Sequence, residues 1–169
     1  GGVIVNTPES ERILTIMGAR PSDLLGNEPH VTDIDGDALA ALIIGCQNYD
    51  GLANDRHNAG AVFLYLGRRE NPRFLDLATL PLDPAPIITI VGAEEGDRLG
   101  IWVTTGDVDG DGEIDLLLGA DQSDGPSNDR RDSGSVTVLL GGQELPSVID
   151  LAAPGDLRIA TIDGVDGGD

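Results

Sequence analysis

Apolar residues in this chain come in short runs, and nearly every run stops at glycine, proline or aspartate. Ala41-Leu42-Ile43-Ile44 and Leu116-Leu117-Leu118 are continuous, as strands covered on both faces are. Val136 to Val138 mixes valine with threonine, which suits a more exposed strand. No segment keeps a 3.6-residue apolar period over helical length. The pattern predicts strands over 101–106, 114–118, 136–140 and 157–162, and before them over 30–32, 40–44, 61–66 and 87–91. Two more, over 3–5 and 13–17, precede these. The reading is all-β.

The two sets of four strands are one pattern written twice. Gly18 and Gly92 stand 74 residues apart, and the same offset sets Asp23, Leu25 and Gly26 on Asp97, Leu99 and Gly100. It sets Asp33, Asp35, Gly36 and Asp37 on Asp107, Asp109, Gly110 and Asp111, and Leu42, Gly45 and Gly60 on Leu116, Gly119 and Gly134. Leu75-Asp76-Leu77 meets Ile149-Asp150-Leu151. A further copy opens at Gly164, where Gly164, Gly168 and Asp169 match Gly92, Gly96 and Asp97. Repetition on this scale marks stacked supersecondary units. Four-stranded antiparallel sheets packed face to face make β-propeller blades. We expect 1–25 to end one blade, 26–91 and 100–162 to form two, and 163–169 to begin the next repeat. With Gly1 entering straight into a strand-like run and Asp169 falling inside the pattern, both ends are expected to be cut.

The glycine pattern around Leu99-Gly100 and Gly119-Ala120, with the acidic run 107–115 between, resembles the FG-GAP repeat of integrin alpha-subunit propellers and related bacterial proteins. Leu25-Gly26 and Leu99-Gly100 stand where that family has Phe-Gly. Gly45-Cys46-Gln47 and Gly119-Ala120-Asp121 stand where it has Gly-Ala-Pro. The resemblance spans the whole chain and implies a partial propeller of FG-GAP type. Adhesion or protein–protein interaction is what the resemblance implies, not what composition implies.

The run Asp107-Val108-Asp109-Gly110-Asp111-Gly112-Glu113-Ile114-Asp115 is a calcium loop by its spacing. Calcium takes six to eight hard oxygens. The side chains of Asp107, Asp109, Asp111 and Asp115, with the backbone carbonyl of Glu113, supply them from one turn. Gly110 and Gly112 let the backbone curl. The spacing is shorter than an EF-hand, whose closing glutamate stands at position 12. Four carboxylates converging without a cation would repel one another. In the first copy Asp33, Asp35 and Asp37 survive, but Ala38 replaces the second glycine and Ala41 the closing aspartate. Those three are expected to form a weaker cation site at most. By the resemblance such sites are structural.

Composition narrows the partners. There are 30 acidic residues against 10 arginines, no lysine, and a formal charge of −20. Such a chain repels nucleic acid and anionic lipid and attracts cations. The acidity also fits a salty habitat. Cys46 is alone, so no intrachain disulfide forms, and its apolar setting reads as a buried inert thiol. No stretch is apolar enough for membrane insertion. Asp50-Gly51 to Arg56 recurs as Asp124-Gly125 to Arg130 between the second and third strands, and we read it as a turn device with a guanidinium set against local carboxylates. Trp102 is expected to pack between blades. His30 and His57 lack partners at metal-site spacing. The sequence therefore points to an extracellular calcium-stabilised module, where the ion is plentiful, with a protein partner or the remaining blades of the same propeller. Glycan binding is an alternative, with only five aromatic residues to serve it. The other is a non-catalytic part of a secreted hydrolase, since no Gly-x-Ser-x-Gly or His-Glu-x-x-His motif occurs.

Overall fold

The computed structural model describes residues 14–79 and 87–165, and the backbone of 2–5. Ile13, the Asn6-Thr7-Pro8 segment and the Gly168-Asp169 end of the last repeat lie outside the described residues. The strands are β1 (Gly2–Val5), β2 (Leu14–Met17), β3 (Leu25–Thr32), β4 (Ala41–Cys46), β5 (Ala61–Tyr65), β6 (Phe74–Asp76), β7 (Ile87–Val91), β8 (Trp102–Gly106), β9 (Asp115–Ala120), β10 (Ser135–Leu139), β11 (Val148–Asp150) and β12 (Ile159–Asp163). One 3₁₀ turn, Leu77–Thr79, follows β6. Among the described residues no helix is long and apolar enough to cross a membrane.

The chain forms two complete four-stranded antiparallel blades and part of a third. The first complete blade runs β3-β4-β5-β7 and the second β8-β9-β10-β12. Two of the three sheets carry, at an outer edge, a strand that the sequence pattern did not predict. β11 pairs parallel with β7, so the first blade gains a fifth strand from residues lying between β10 and β12 in sequence. β6 does the same for β2 of the earlier blade. A three-residue parallel strand is too short to show a period, but its recurrence under the 74-residue offset was visible.

Two apolar layers lie between blades. Ile43, Val62, Leu64 and Ile90 of the first blade meet Leu99, Val103, Leu116 and Leu118 of the second. On the opposite face Ile44, Phe63 and Val91 meet Ile16, Leu75 and Leu77. Because Ile43 and Ile44 point to opposite faces, the continuous apolar run of β4 serves both layers. The blades close on glycine. A Cβ at Gly45 would strike the carbonyl of Gly100, and one at Gly60 would strike Leu99. The Leu99-Gly100 pair thus docks on the previous blade at positions where only hydrogen fits.

Trp102 is 55% exposed, on the second blade's outward face with Val136 and Ile162. Under the offset Leu117, Val136 and Val138 of this face correspond to Ile43, Val62 and Leu64, which the second blade covers in the first. Cys46 is buried, its thiol donates to the Asp23 carbonyl at 3.2 Å, and burial pushes its pKa up. It is inert, as expected.

Candidate metal centre

The acidic loops are the β3–β4 and β8–β9 connections, both at the same end of their blades. In the second, Asp107, Asp109 and Asp115 come together, with one carboxylate oxygen from each lying within 4.8 Å of the others. Calcium–oxygen distances of about 2.3–2.6 Å allow one ion to touch oxygens so spaced. Gly110 and Gly112 adopt φ of +81° and +92°, the left-handed curl expected of them.

The burial of these carboxylates is uneven. Asp107 and Asp109 are exposed, while Asp115 is fully buried at the first position of β9. Asp115 accepts the Val108 N–H at 2.7 Å on Oδ2 and the Gly141 N–H at 2.8 Å on Oδ1. It therefore ties the loop to the segment after β10. Asp107 accepts Gly110 N–H at 2.7 Å and Gly112 N–H at 3.0 Å, and Asp109 accepts Asp111 N–H at 3.1 Å. Backbone amides thus offset part of the repulsion among the carboxylates, a compensation that the spacing alone did not reveal.

Asp111 stands apart from this cluster. Its Oδ1 accepts the Glu113 N–H at 2.9 Å, and its Oδ2 lies 3.8 Å from the Arg158 guanidinium. Ile114 and Ile34, one from each acidic loop, line a crevice of about 380 Å³ between the blades, together with Asp35, Glu113, Leu116 and Leu145.

The first loop keeps more of the design than its sequence suggests. Asp33, Asp35 and Asp37, all exposed, also bring one oxygen each within 4.8 Å of the others. Ala38 N–H donates to Asp33 at 3.0 Å and Leu39 N–H to Asp37 at 2.7 Å, the bonds made by Gly112 and Glu113 in the other copy. Ala38 holds φ at +66°, a region its side chain disfavours. Ala41, in the closing position, is buried and offers no oxygen side chain. Both donor sets are hard oxygens, and both fit calcium in type. The second alone adds a buried, anchored carboxylate.

The recurrent Asn-Asp-Arg element lies at the other end of the blades. Asp50 caps Asn58 N–H and Asp124 caps Asp132 N–H, each at 2.8 Å. Asn54 and Asn128 take φ of +60° and +53°, which asparagine tolerates. Arg56 donates to the Gly92 carbonyl at 2.7 Å and Arg130 to the Gly164 carbonyl at 2.8 Å. Arg56 also grips Asp150 on β11, a distant carboxylate rather than a local one. Among the described residues neither histidine enters a metal cluster. His30 Nε2 meets Thr105 Oγ1 at 2.8 Å between the first strands of the two blades, and His57 is exposed in a loop.

Comparison with known proteins agrees with this geometry. The FG-GAP repeat family matches residues 99–139, the span from the docking Leu99-Gly100 pair through the acidic loop to the end of β10. The chain is 30% identical over 137 residues to phosphatidylinositol-glycan-specific phospholipase D of Dictyostelium discoideum, covering 76% of this chain and 14% of that protein. It is 30% identical over 147 residues to integrin alpha-IIb of Homo sapiens, covering 85% of this chain and 13% of the integrin. Against integrin alpha-PS2 of Drosophila melanogaster it is 30% identical over 131 residues, 75% of this chain and 9% of the relative. The chain thus spans a small part of each relative's length. With the repeated blades, the glycine docking and these matches together, the chain belongs to the FG-GAP repeat family of integrin-alpha-like β-propellers.

Proposed function

We propose that this chain is a calcium-stabilised segment of an extracellular propeller whose role is protein–protein interaction or adhesion. The observation that carries the calcium part is the convergence of Asp107, Asp109 and Asp115 on a turn whose two glycines are left-handed. Asp107, Asp109, Asp111 and Asp115, with the Glu113 carbonyl, would hold the ion, Asp111 by turning from Arg158. Calcium would supply a fixed positive charge to a chain with formal charge −20 and draw the β8–β9 hairpin together. Asp33, Asp35 and Asp37 would form a second, weaker site, since no buried carboxylate closes that loop. The residues 26–91 and 100–162 would each act as one repeat within the propeller.

The interaction part is supported by the integrin relatives and by the absence of a catalytic constellation among the described site residues. The acidic loops offer oxygen ligands but no histidine base beside a nucleophile. A second reading, a non-catalytic part of a secreted hydrolase, is favoured by the match to the phospholipase D. A calcium titration followed by melting temperature tests the main proposal. The expected result is a rise with calcium that magnesium at equal concentration does not reproduce, because magnesium requires a tighter octahedron. Equal melting in calcium and in chelator would remove calcium from the account.

A further inference from the structure

Strands β2, β7 and β12 close on nearly the same sequence, each followed by glycine: Thr15-Ile16-Met17-Gly18, Thr89-Ile90-Val91-Gly92 and Thr161-Ile162-Asp163-Gly164. The first two give their outer edges to a parallel strand. Phe74-Leu75-Asp76 of β6 registers against Thr15-Ile16-Met17, and Val148-Ile149-Asp150 of β11 against Thr89-Ile90-Val91. The backbone bonds recur as well. Thr15 N–H donates to the Arg73 carbonyl at 3.0 Å, and Thr89 N–H to the Ser147 carbonyl at 2.9 Å. At these filled edges Ile16 and Ile90 are 1% and 0% exposed.

Both added strands have one pattern, apolar, aliphatic, aspartate, leucine: Phe74-Leu75-Asp76-Leu77 and Val148-Ile149-Asp150-Leu151. Leu75 and Ile149 are buried. Asp76 and Asp150 cap the turn that follows, accepting Ala78 N–H and Ala152 N–H at 3.0 Å each. In both cases the strand comes from the repeat that packs on the blade.

β12 has the same edge without the strand. Among the described residues it pairs with β10 alone. Thr161 is exposed, and Ile162 is 65% exposed. Arg130, the counterpart of Arg56, is already in place. It donates to the Gly164 carbonyl at 2.8 Å, as Arg56 does to the Gly92 carbonyl at 2.7 Å. Arg56 also holds Asp150 of the added strand through Nη1 and Nη2. Arg130 has as carboxylate neighbour, among the described residues, only the exposed Asp129, 4.0 Å from Nε. Its side chain is 38% exposed, against 20% for Arg56.

We propose that the β12 edge is a recognition site for an extended segment of that four-residue pattern, added in parallel, with its aspartate held by Arg130. The donor is another FG-GAP repeat docking on the second blade, the kind of unit that fills both earlier edges. Thr161 N–H and the Asp163 carbonyl would bond its backbone, the latter as the Val91 carbonyl accepts Leu151 N–H at 3.0 Å. The buried aliphatic position would cover Ile162, and the guanidinium fork would take the carboxylate. Asp163 stands where Val91 does, opposite the incoming aspartate, so like charges oppose the pairing and Arg130 offsets them. The donor rests on the propeller reading above, whereas the site uses no residue of the acidic loops.

The test is an amide chemical-shift titration of the 169-residue chain, in chelator, with the capped peptide Ser-Val-Ile-Asp-Leu-Ala-Ala, the sequence of 147–153. Saturable shifts are expected at Arg130 and at Thr161 to Val165, and not at Thr89 to Val91, where β11 is seated. The peptide with asparagine for aspartate is expected to bind about tenfold more weakly, the equivalent of one charge-assisted hydrogen bond. Arg130→Gln is expected to bind both peptides alike, a coupling that local disturbance of the fold would not produce. Asp163→Val is expected to bind about threefold more tightly. A nitroxide on the peptide's N-terminus should broaden Ile159 and Ala160 more than Gly164 and Val165, as parallel pairing requires. No saturable shift at β12, the reverse broadening, weaker binding by Asp163→Val, or a tenfold preference surviving in Arg130→Gln would each overturn the proposal. With chelator present throughout, the calcium and strand readings fail separately.

Discussion

Arg56 holds Asp150 by two hydrogen bonds, Nη1 to Oδ1 at 2.8 Å and Nη2 to Oδ2 at 2.5 Å, across 94 residues of sequence. The same Nη1 donates to the Gly92 carbonyl at 2.7 Å. One guanidinium therefore fastens β11 to the outer edge of the first blade and clamps the exit of β7. The contact braces the fifth strand, which β11 adds to the blade by pairing with β7. Since β11 comes from the stretch between β10 and β12, the pair also ties one repeat to the next.

Arg56→Ala is expected to loosen that edge. The Asp150 side chain is 35% exposed, so solvent screening holds the loss to about 1 kcal/mol. Arg56 keeps the Asp150 carboxyl below its ordinary value of 3.8. A depressed folded-state pKa contributes stability above the ordinary carboxylate range and loses it as pH falls through the lowered value. The difference between variant and parent in urea denaturation should be full at neutral pH and close in strong acid. Faster hydrogen exchange at Val148 to Leu151 should accompany it. A difference that stays constant into acid would mean that packing, not charge, is what Arg56 supplies.

Asp97 is expected to act in the opposite sense. Burial, then Glu94 and Asp124, raises its carboxyl from 3.8 to about 6. The folded chain then binds that proton more tightly than the unfolded chain does. Asp97 weakens the fold progressively as pH climbs between those two values, and the penalty is complete above them. Asp97→Asn should melt above the parent at neutral pH, with the gap closing as pH falls toward the unfolded value. Melting curves at a series of pH values measure this. A gap independent of pH would contradict it.

Ala38 stands at φ +66°, where the other repeat has Gly112 at +92°. Relief of left-handed strain is worth about 1–2 kcal/mol. Glycine returns about 0.5–1 kcal/mol of that as extra unfolded-state entropy. Ala38→Gly should therefore stabilise the chain by about 0.5 kcal/mol, read as a higher urea midpoint with chelator present. A lower midpoint would show that the Ala38 methyl group makes contacts that compensate for its backbone.

Much of this architecture was legible because the chain carries its own comparison. Matching Gly45 to Gly119 and Leu25-Gly26 to Leu99-Gly100 marked the repeat before any strand was paired, but not that Leu99-Gly100 docks on Gly45 and Gly60 of the previous blade. β6 and β11 escaped because three residues cannot establish a period, although Leu75-Asp76-Leu77 and Ile149-Asp150-Leu151 marked them as equivalent. In the acidic loop the ligand types were readable and their burial was not. Whether Asp115 is buried depends on Gly141, 26 residues away, and whether Asp111 joins the cluster depends on Arg158.

Asp109 and Asp115 should separate the calcium contribution from the hydrogen-bond contribution of the loop. Asp109 is exposed, and its one hydrogen bond goes to Asp111 N–H. Asp109→Asn keeps an oxygen for that bond while removing the charge that calcium needs. Its melting temperature in chelator should match the parent's, and its rise on adding calcium should be smaller. Asp115 is fully buried and holds the Val108 and Gly141 amides. Asp115→Ala strands both donors at about 1–3 kcal/mol each, so this variant should melt lower with or without calcium. Thermal melts of both variants in calcium and in chelator make the comparison. If Asp109→Asn gains as much from calcium as the parent does, that carboxylate is not a ligand. If Asp115→Ala loses only the calcium-dependent part, the two amide bonds contribute little, and the buried carboxylate is there for the ion alone.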